Sequence, residues 1–377
     1  MLVLDAHCDA PSQMLRLRDF GADNPRGQVD FPKMKRGGVD ASFFALYIPA
    51  ELPVDQAREH MWRLLAELER QVAAAGLSAG DVRAAGSGAA GSGIDVRAAR
   101  PAVDVWLAGS ASDVRANKAA GRLSILIGLE NGSPIGDDLS MISLLYERGV
   151  RYVTLTHSAD NQLCDSCTGQ GKWGGLSPLG REVVLEMNRV GMLVDVAHSS
   201  WKTIEDVLDL STAPIVYTHG CCHALSAHRR NLPDSLLRGI AAGGGVVGMS
   251  VYPPFLSEEF CSVLAASRLE EKMWVEAEFI ADPGNAAKAS AWFKVQDELA
   301  MLPRPGVAKV VDHIEHAAAV CGIGGVGIGT DYDGIEVTAD GLEDISKVGA
   351  IFAEMRRRRW PEADISAVAG ENFLRLL

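Results

Sequence analysis

The chain has 377 residues, 47% hydrophobic and 23% charged, the balance of a folded globule and not of a disordered segment. Its formal net charge of -13 at pH 7 excludes a nucleic-acid binder, which needs a basic surface for phosphate contacts. No apolar run approaches the roughly 20 residues of a membrane-spanning helix.

Short apolar runs rich in β-formers recur along the chain. The first covers residues 2–6, followed by His7-Cys8-Asp9, and the second covers 41–48 (ASFFALYI). Apolar residues at helical spacing fill 56–75, and Gly76 stops that helix. The third strand is predicted at 123–129 (LSILIGL), ending at Glu130, and the fourth at 152–156 (YVTLT), ending at His157. A helix over 178–190 puts Leu179, Val183, Val184 and Met187 on one stripe. The fifth strand, 192–197, leads to His198, and the sixth, 214–218, leads to His219. A helix over 234–242 precedes the seventh strand at 245–251. A helix over 307–320 precedes the eighth at 325–329, which runs on to Asp331. Near-continuous apolar strands are buried on both faces, as in a parallel sheet. Eight of them with intervening helices predict an α/β fold, a (β/α)8 TIM-type barrel forming one catalytic domain over 1–377.

Two segments exceed that pattern. Residues 76–100, after the second strand, are rich in Ala, Gly and Ser and repeat Asp-Val-Arg-Ala-Ala at 81–85 and 95–99, which reads as a small duplication in a surface excursion. Residues 253–305, after the seventh strand, form a long insertion with helical stretches around 264–278 and 286–302, expected as a lid or subunit contact on the catalytic rim.

Chemistry in such barrels sits at the C-terminal ends of the strands. Here those ends carry His7 and Asp9, Glu130, His157, His198, His219 and Asp331. Taken singly each is a weak signal; together they predict a metal site. Imidazole and carboxylate suit zinc and similar ions. Glu130 has two oxygens and can bridge two ions about 3.5–4 Å apart, with a shared water acidified for attack and Asp331 as its proton acceptor. Other motifs are weaker. Gly76-Leu77-Ser78-Ala79-Gly80 spells a nucleophile elbow but follows a helix where an elbow follows a strand. The G-x-G-x-x-G within 322–329 precedes a strand where a dinucleotide site precedes a helix. Cys164-Asp165-Ser166-Cys167 has no second pair.

These residues carry a resemblance to the renal or membrane dipeptidases, zinc peptidases of the amidohydrolase-like barrel class. Asp5-Ala6-His7-Cys8-Asp9-Ala10-Pro11 is similar to the family's opening motif. Leu129-Glu130-Asn131-Gly132 with 146–152 resembles the signature around its glutamate. Thr154-Leu155-Thr156-His157, the stretches 175–180 and 194–200, 213–219, 229–234 and Gly329-Thr330-Asp331-Tyr332-Asp333-Gly334 complete it. The resemblance implies a binuclear zinc dipeptidase acting on L-L and L-D dipeptides. By it, His7 and Asp9 hold one zinc and His198 and His219 the other, with Glu130 bridging. His157 binds the scissile carbonyl, Arg230 pairs with the substrate carboxylate, and Asp331 shuttles the proton. Arg229 and Asp333 are the rivals of the last two. Asn131 departs from the family, which usually has glycine there, and Cys8 adds a thiol beside the ligands.

The resemblance also implies a homodimer. The start lacks the basic and long apolar regions of a signal peptide, the end has no lipid-anchor pattern, and seven irregularly spaced cysteines fit a reduced compartment. A cytoplasmic protein without membrane attachment is expected. The rival functions are another amide or lactone hydrolase on the same metals, and a catalytically silent metal-bearing binding protein, which has no need of a proton shuttle.

Overall fold

The computed structural model describes residues 1–76 and 103–377. Eight parallel strands succeed one another around a nearly closed barrel: β1 (Leu4–Cys8), β2 (Ala41–Tyr47), β4 (Leu123–Glu130), β5 (Val150–Thr154), β6 (Leu193–Asp195), β7 (Val216–Gly220), β8 (Val246–Met249) and β9 (Val326–Ile328). A short strand outside this path, β3 (Val105–Leu107), pairs with the start of β4. The seam between β9 and β1 is closed by the Asp331 N–H donating to His7 O at 3.0 Å and the Asp9 N–H donating to Tyr332 O at 2.9 Å.

All eight predicted barrel strands are present. The sequence reading missed β3, whose Trp106 and Leu107 are exposed and give no burial signal. Alternate side chains of the strands feed two cores, as a period of two requires. Leu4, Ala6, Phe43, Leu126 and Tyr152 fill the barrel interior. Phe44, Leu46, Ile125 and Ile127 pack outward against the helices, and Cys8 joins them past a register shift in β1. The helices Val54–Gly76, Pro178–Val190, Asp234–Ala242 and Val307–Cys321 lie where the apolar stripes predict them.

The insertion is helical, with Pro253–Leu256, Glu258–Ser267, Trp274–Ala281 and Ala286–Ala300. The helix expected over 264–278 is broken: Arg268 adopts φ 57°, a left-handed conformation that ends the first helix, and a 3-10 turn follows. Phe260, Leu264, Trp292, Val295 and Leu299 form a small core here with Val337 from the loop after β9. Tyr252 packs on both this core and the main one, so it joins the insertion to the barrel mouth. The excursion at 77–100 and its repeat lie outside the described residues, as does most of the 76–80 motif.

Candidate metal centre

Strand phase explains how the ligand candidates reach the mouth. In β4, Leu126 points into the barrel, so Gly128 and Glu130 share that face. A Cβ on Gly128 would lie 2.1 Å from the Tyr152 ring, so glycine makes room for Tyr152 to cross the barrel. The Tyr152 hydroxyl then meets His7 Nδ1 at 2.9 Å. Strict alternation after Leu4 and Ala6 would turn His7 outward. The register of β1 shifts between Asp5 and Cys8, and a matching shift lies between Tyr217 and Gly220 of β7, around His219.

Glu130 is the hub of the centre. Its Oε1 lies 3.1 Å from His198 Nε2, 3.6 Å from His219 Nε2 and 3.7 Å from His7 Nε2. His7 Nε2 is also 3.5 Å from Asp9 Oδ2 and 3.9 Å from Asp331 Oδ1. Three overlapping groups offer ligand atoms within 4.8 Å of one another: His7–Glu130–His219, Glu130–His157–His198 and His7–Asp9–Asp331. The five expected ligands therefore come together, with His157 and Asp331 among them. The groups cut across the expected partition, since His7 shares one with His219.

Several of these residues sit in unusual backbone. β6 stops at Asp195, earlier than expected, and His198 follows at φ 64°; Asp331 lies beyond β9 at φ 68°. Asn131 takes φ 76°, the conformation that glycine would adopt there, and Asn tolerates it through local hydrogen bonds. Its side chain donates to Ile48 O and accepts from the Ser133 N–H.

Two buried carboxylates brace the candidate ligands from behind. Asp195 accepts from Thr154 Oγ1 at 2.5 Å, Thr218 Oγ1 at 2.8 Å and the N–H groups of Thr218 and Ala197 at 3.0 Å. Thr218 Oγ1 also meets His219 Nδ1 at 2.9 Å. Its only hydrogen goes to Asp195, so His219 Nδ1 must donate, which leaves Nε2 with a lone pair facing Glu130. Asp5 plays the same part across the seam, accepting from the Thr330 N–H and hydroxyl at 2.8 Å. Both residues lie inside the motifs quoted above, but nothing in their spacing signals a role behind the ligands. Asp195→Asn puts an amide N–H2 against groups that already donate. We expect metal affinity to fall about 10–100-fold, read as metal retained after dialysis against graded chelator; retention equal to the parent's would remove Asp195 from this role.

The donor set fits divalent metal. His7 Nε2, Asp9 Oδ1 and His157 Nδ1 are buried without a hydrogen-bond partner. Burial, then the charge of Asp9, raises the Glu130 carboxyl well above its ordinary range. Burial lifts Asp331 to about 7. Burial, then the Arg230 charge, holds His198 well below its usual range; for His219 burial comes first and His7 second. Burial also lowers His7, but Glu130, Asp9 and Asp331 outweigh it and raise it to about 10. Crowded carboxylates beside imidazole lone pairs are what bound cations neutralise.

The rivals separate by their surroundings. Arg229 is exposed, whereas Arg230 is only 5% exposed. Arg230 donates to Tyr217 Oη at 2.5 Å and to His219 O at 3.2 Å, and no carboxylate lies within 4.0 Å of it among the described residues. Asp333 is held by Arg18 at 2.7 Å and by the Gln28 N–H at 3.1 Å, away from His7. Cys8 faces the outer core, with its thiol 3.4 Å from Phe43 O. No cysteine, Cys164 and Cys167 included, enters a metal-type group among the described residues.

The model of the membrane dipeptidase family, peptidase family M19, matches residues 1–377. The chain belongs to this family. Dipeptidase aclJ of Aspergillus oryzae is 31% identical over 360 residues, 94% of this chain and 70% of that protein. Dipeptidase verJ of Clonostachys rogersoniana is 34% identical over 272 residues, 72% of this chain and 59% of that one. Among solved structures, dipeptidase AC, a metallopeptidase of family M19, superposes with TM-score 0.75 at 25% identity, covering 100% of this chain and 97% of its own. As an M19 protein this chain is a metallopeptidase-type hydrolase on a TIM-like barrel.

Proposed function

We propose that this M19 enzyme is a binuclear zinc dipeptidase that hydrolyses the one peptide bond of L-L dipeptides and of L-D dipeptides. The observation that carries the reading is the buried Arg230 guanidinium beside the ligand cluster, with no carboxylate of the protein to pair with. His7 and Asp9 would hold one zinc, His198 and His219 the other, with Glu130 shared. When bound, such ions acidify water and polarise a carbonyl. The side chains do the rest. Arg230 presents a fork suited to the substrate's terminal carboxylate. Burial, with Arg230 adding to it, lowers His157 to about 4, so it is neutral at pH 7 and keeps one N–H for the scissile carbonyl oxygen. Asp331, raised by burial to about 7, can take a proton at Oδ1 and return it to the leaving amine.

The seven cysteines are all free, in keeping with a reducing, cytoplasmic setting. Among the described residues no helix is long and apolar enough to cross a membrane. A homodimer follows from the family resemblance, and sedimentation would measure it. The deciding experiment combines metal analysis with a substrate panel of L-L and L-D dipeptides, N-acyl amino acids and lactones. We expect two zinc ions per chain, preference for dipeptides, and loss of activity on chelation with recovery on adding zinc. A faster reaction with lactones or acyl amino acids, or full activity without metal, would overturn the assignment.

A further inference from the structure

The insertion begins by gripping the loop that carries Arg230. That loop, 221–233, runs from β7 to the helix Asp234–Ala242. Its two arms are tied at the base, where the Leu232 N–H donates to Cys221 O at 3.0 Å and the His223 N–H donates to Leu232 O at 2.9 Å. The rest of the loop is held from outside, by the first residues of the insertion.

Four ties converge there. Asn231, fully buried, donates from Nδ2 to Phe255 O at 2.7 Å. The Ala227 N–H donates to Glu258 Oε1 at 2.7 Å. The Phe255 ring lies 4.9 Å from the ring of His228, whose Nδ1 accepts from the Arg230 N–H at 3.2 Å. The fourth tie runs through buried His313 of the helix Val307–Cys321. Its Nδ1 accepts from the Cys222 N–H at 3.1 Å, so Nε2 carries the proton and donates to Leu256 O at 3.2 Å.

The side chain among these ties is Arg230. Its Cζ lies over the Phe255 ring, 5.3 Å from the centroid, and 5.7 Å from the centroid of the Tyr217 ring. The Tyr217 hydroxyl accepts from Nη1 and donates to Arg230 O, so it holds the residue at both ends. A guanidinium has five N–H donors. Tyr217 takes one and His219 O takes another, which leaves three for a ligand. Aromatic contact with the faces of a guanidinium leaves its edges free for a carboxylate. Anchoring the insertion would need only apolar packing, and fully buried Leu256 supplies it. Phe255 does more, because its ring meets Arg230 and its carbonyl holds Asn231.

We propose that Phe255 is a positioning residue for substrate recognition: it holds the Arg230 guanidinium in the pose that receives the substrate's terminal carboxylate. The proposal rests on the reading of Arg230 as the carboxylate clamp. It gives the insertion a task other than that of a lid or a subunit contact, since its first residues become part of the wall behind that clamp.

The test uses the zinc-loaded full chain, the dipeptide L-Ala-L-Ala and its amide, and the variants Phe255→Leu, Arg230→Ala and the two combined. Leucine keeps an apolar side chain and removes the ring. KM for the dipeptide should rise about 3- to 30-fold, the range of a cation–π contact from exposed to desolvated. Turnover should stay near the parent's, because a carboxylate clamp binds ground state and transition state alike. KM for the amide should barely move, and Phe255→Leu should add nothing once Arg230 is alanine. KM does not depend on how much of a preparation is folded. Should Phe255→Leu yield no soluble protein, Glu258→Ala, which frees Ala227, should raise the dipeptide KM by a smaller factor and again spare the amide. An unchanged dipeptide KM, equal rises for dipeptide and amide, or a full additional cost on top of Arg230→Ala overturns the positioning role. If Arg230→Ala itself harms dipeptide and amide alike, the clamp reading falls and this proposal with it. If Arg230→Ala is selective and Phe255→Leu is not, only this proposal falls.

Discussion

Asp331→Asn is expected to cut turnover on dipeptides by about 10²–10⁴-fold, the usual contribution of general acid–base catalysis. The substitution isolates the proton. Asn has the same shape and tolerates the φ of 68° that Asp331 adopts, so the backbone after β9 should hold. KM should move little, because the loss falls on the transition state. Metal content should match the parent's, since His7, Asp9, Glu130, His198 and His219 supply the proposed ligands without it. Metal analysis and kcat on the same sample give the answer. Near-parent turnover would move the proton transfer elsewhere. Asp333 is then a poor substitute, because Arg18 and Gln28 hold it away from the centre. Loss of a metal together with activity would instead make Asp331 a ligand, as its group with His7 and Asp9 allows.

Arg230→Ala should lower kcat/KM for dipeptides on the order of 10²–10³-fold, the range for truncating one partner of a buried charge pair. Dipeptide amides, which lack the terminal carboxylate, should lose far less. The comparison matters because Arg230 also braces Tyr217 and the carbonyl of His219. A purely structural role would depress both substrate classes alike. Arg230→Lys sharpens the result: it keeps the charge and loses the fork, so recovery should be partial.

The barrel and the clustering of the candidate ligands were legible in the sequence for related reasons. Strands buried on both faces show as apolar runs such as 123–129, and their ends carry the polar residues, so one pattern locates both. What stayed hidden depends on phase and on distance along the chain. No periodicity predicts the register shift that turns His7 inward, or that Gly128 clears a path for Tyr152. Asp195 reads like any buried polar residue until Thr154 and Thr218 are seen donating to it. Arg230 and Arg229 are neighbours of identical chemistry, and only burial separates them. β3 escaped because its side chains are exposed. The broken helix at Arg268 escaped because an arginine gives no stop signal of the kind glycine does.

The seam between the first and last barrel strands has a consequence for synthesis. Asp5 and Thr330 are hydrogen-bonded across 325 residues, and His7 and Asp9 are tied there to Asp331 and Tyr332. A growing chain therefore carries the first pair of proposed ligands almost from its start and can pair β1 with β2 and His7 with Tyr152 early, but their ties to Asp331 and Tyr332 form only once β9 has left the ribosome. Hydrolytic power would switch on near the end of translation, so a stalled or truncated product carries ligands without a working centre. The same tie makes the seam a poor place to cut: opening the ring between β9 and β1 should silence the enzyme while most of the barrel stays folded.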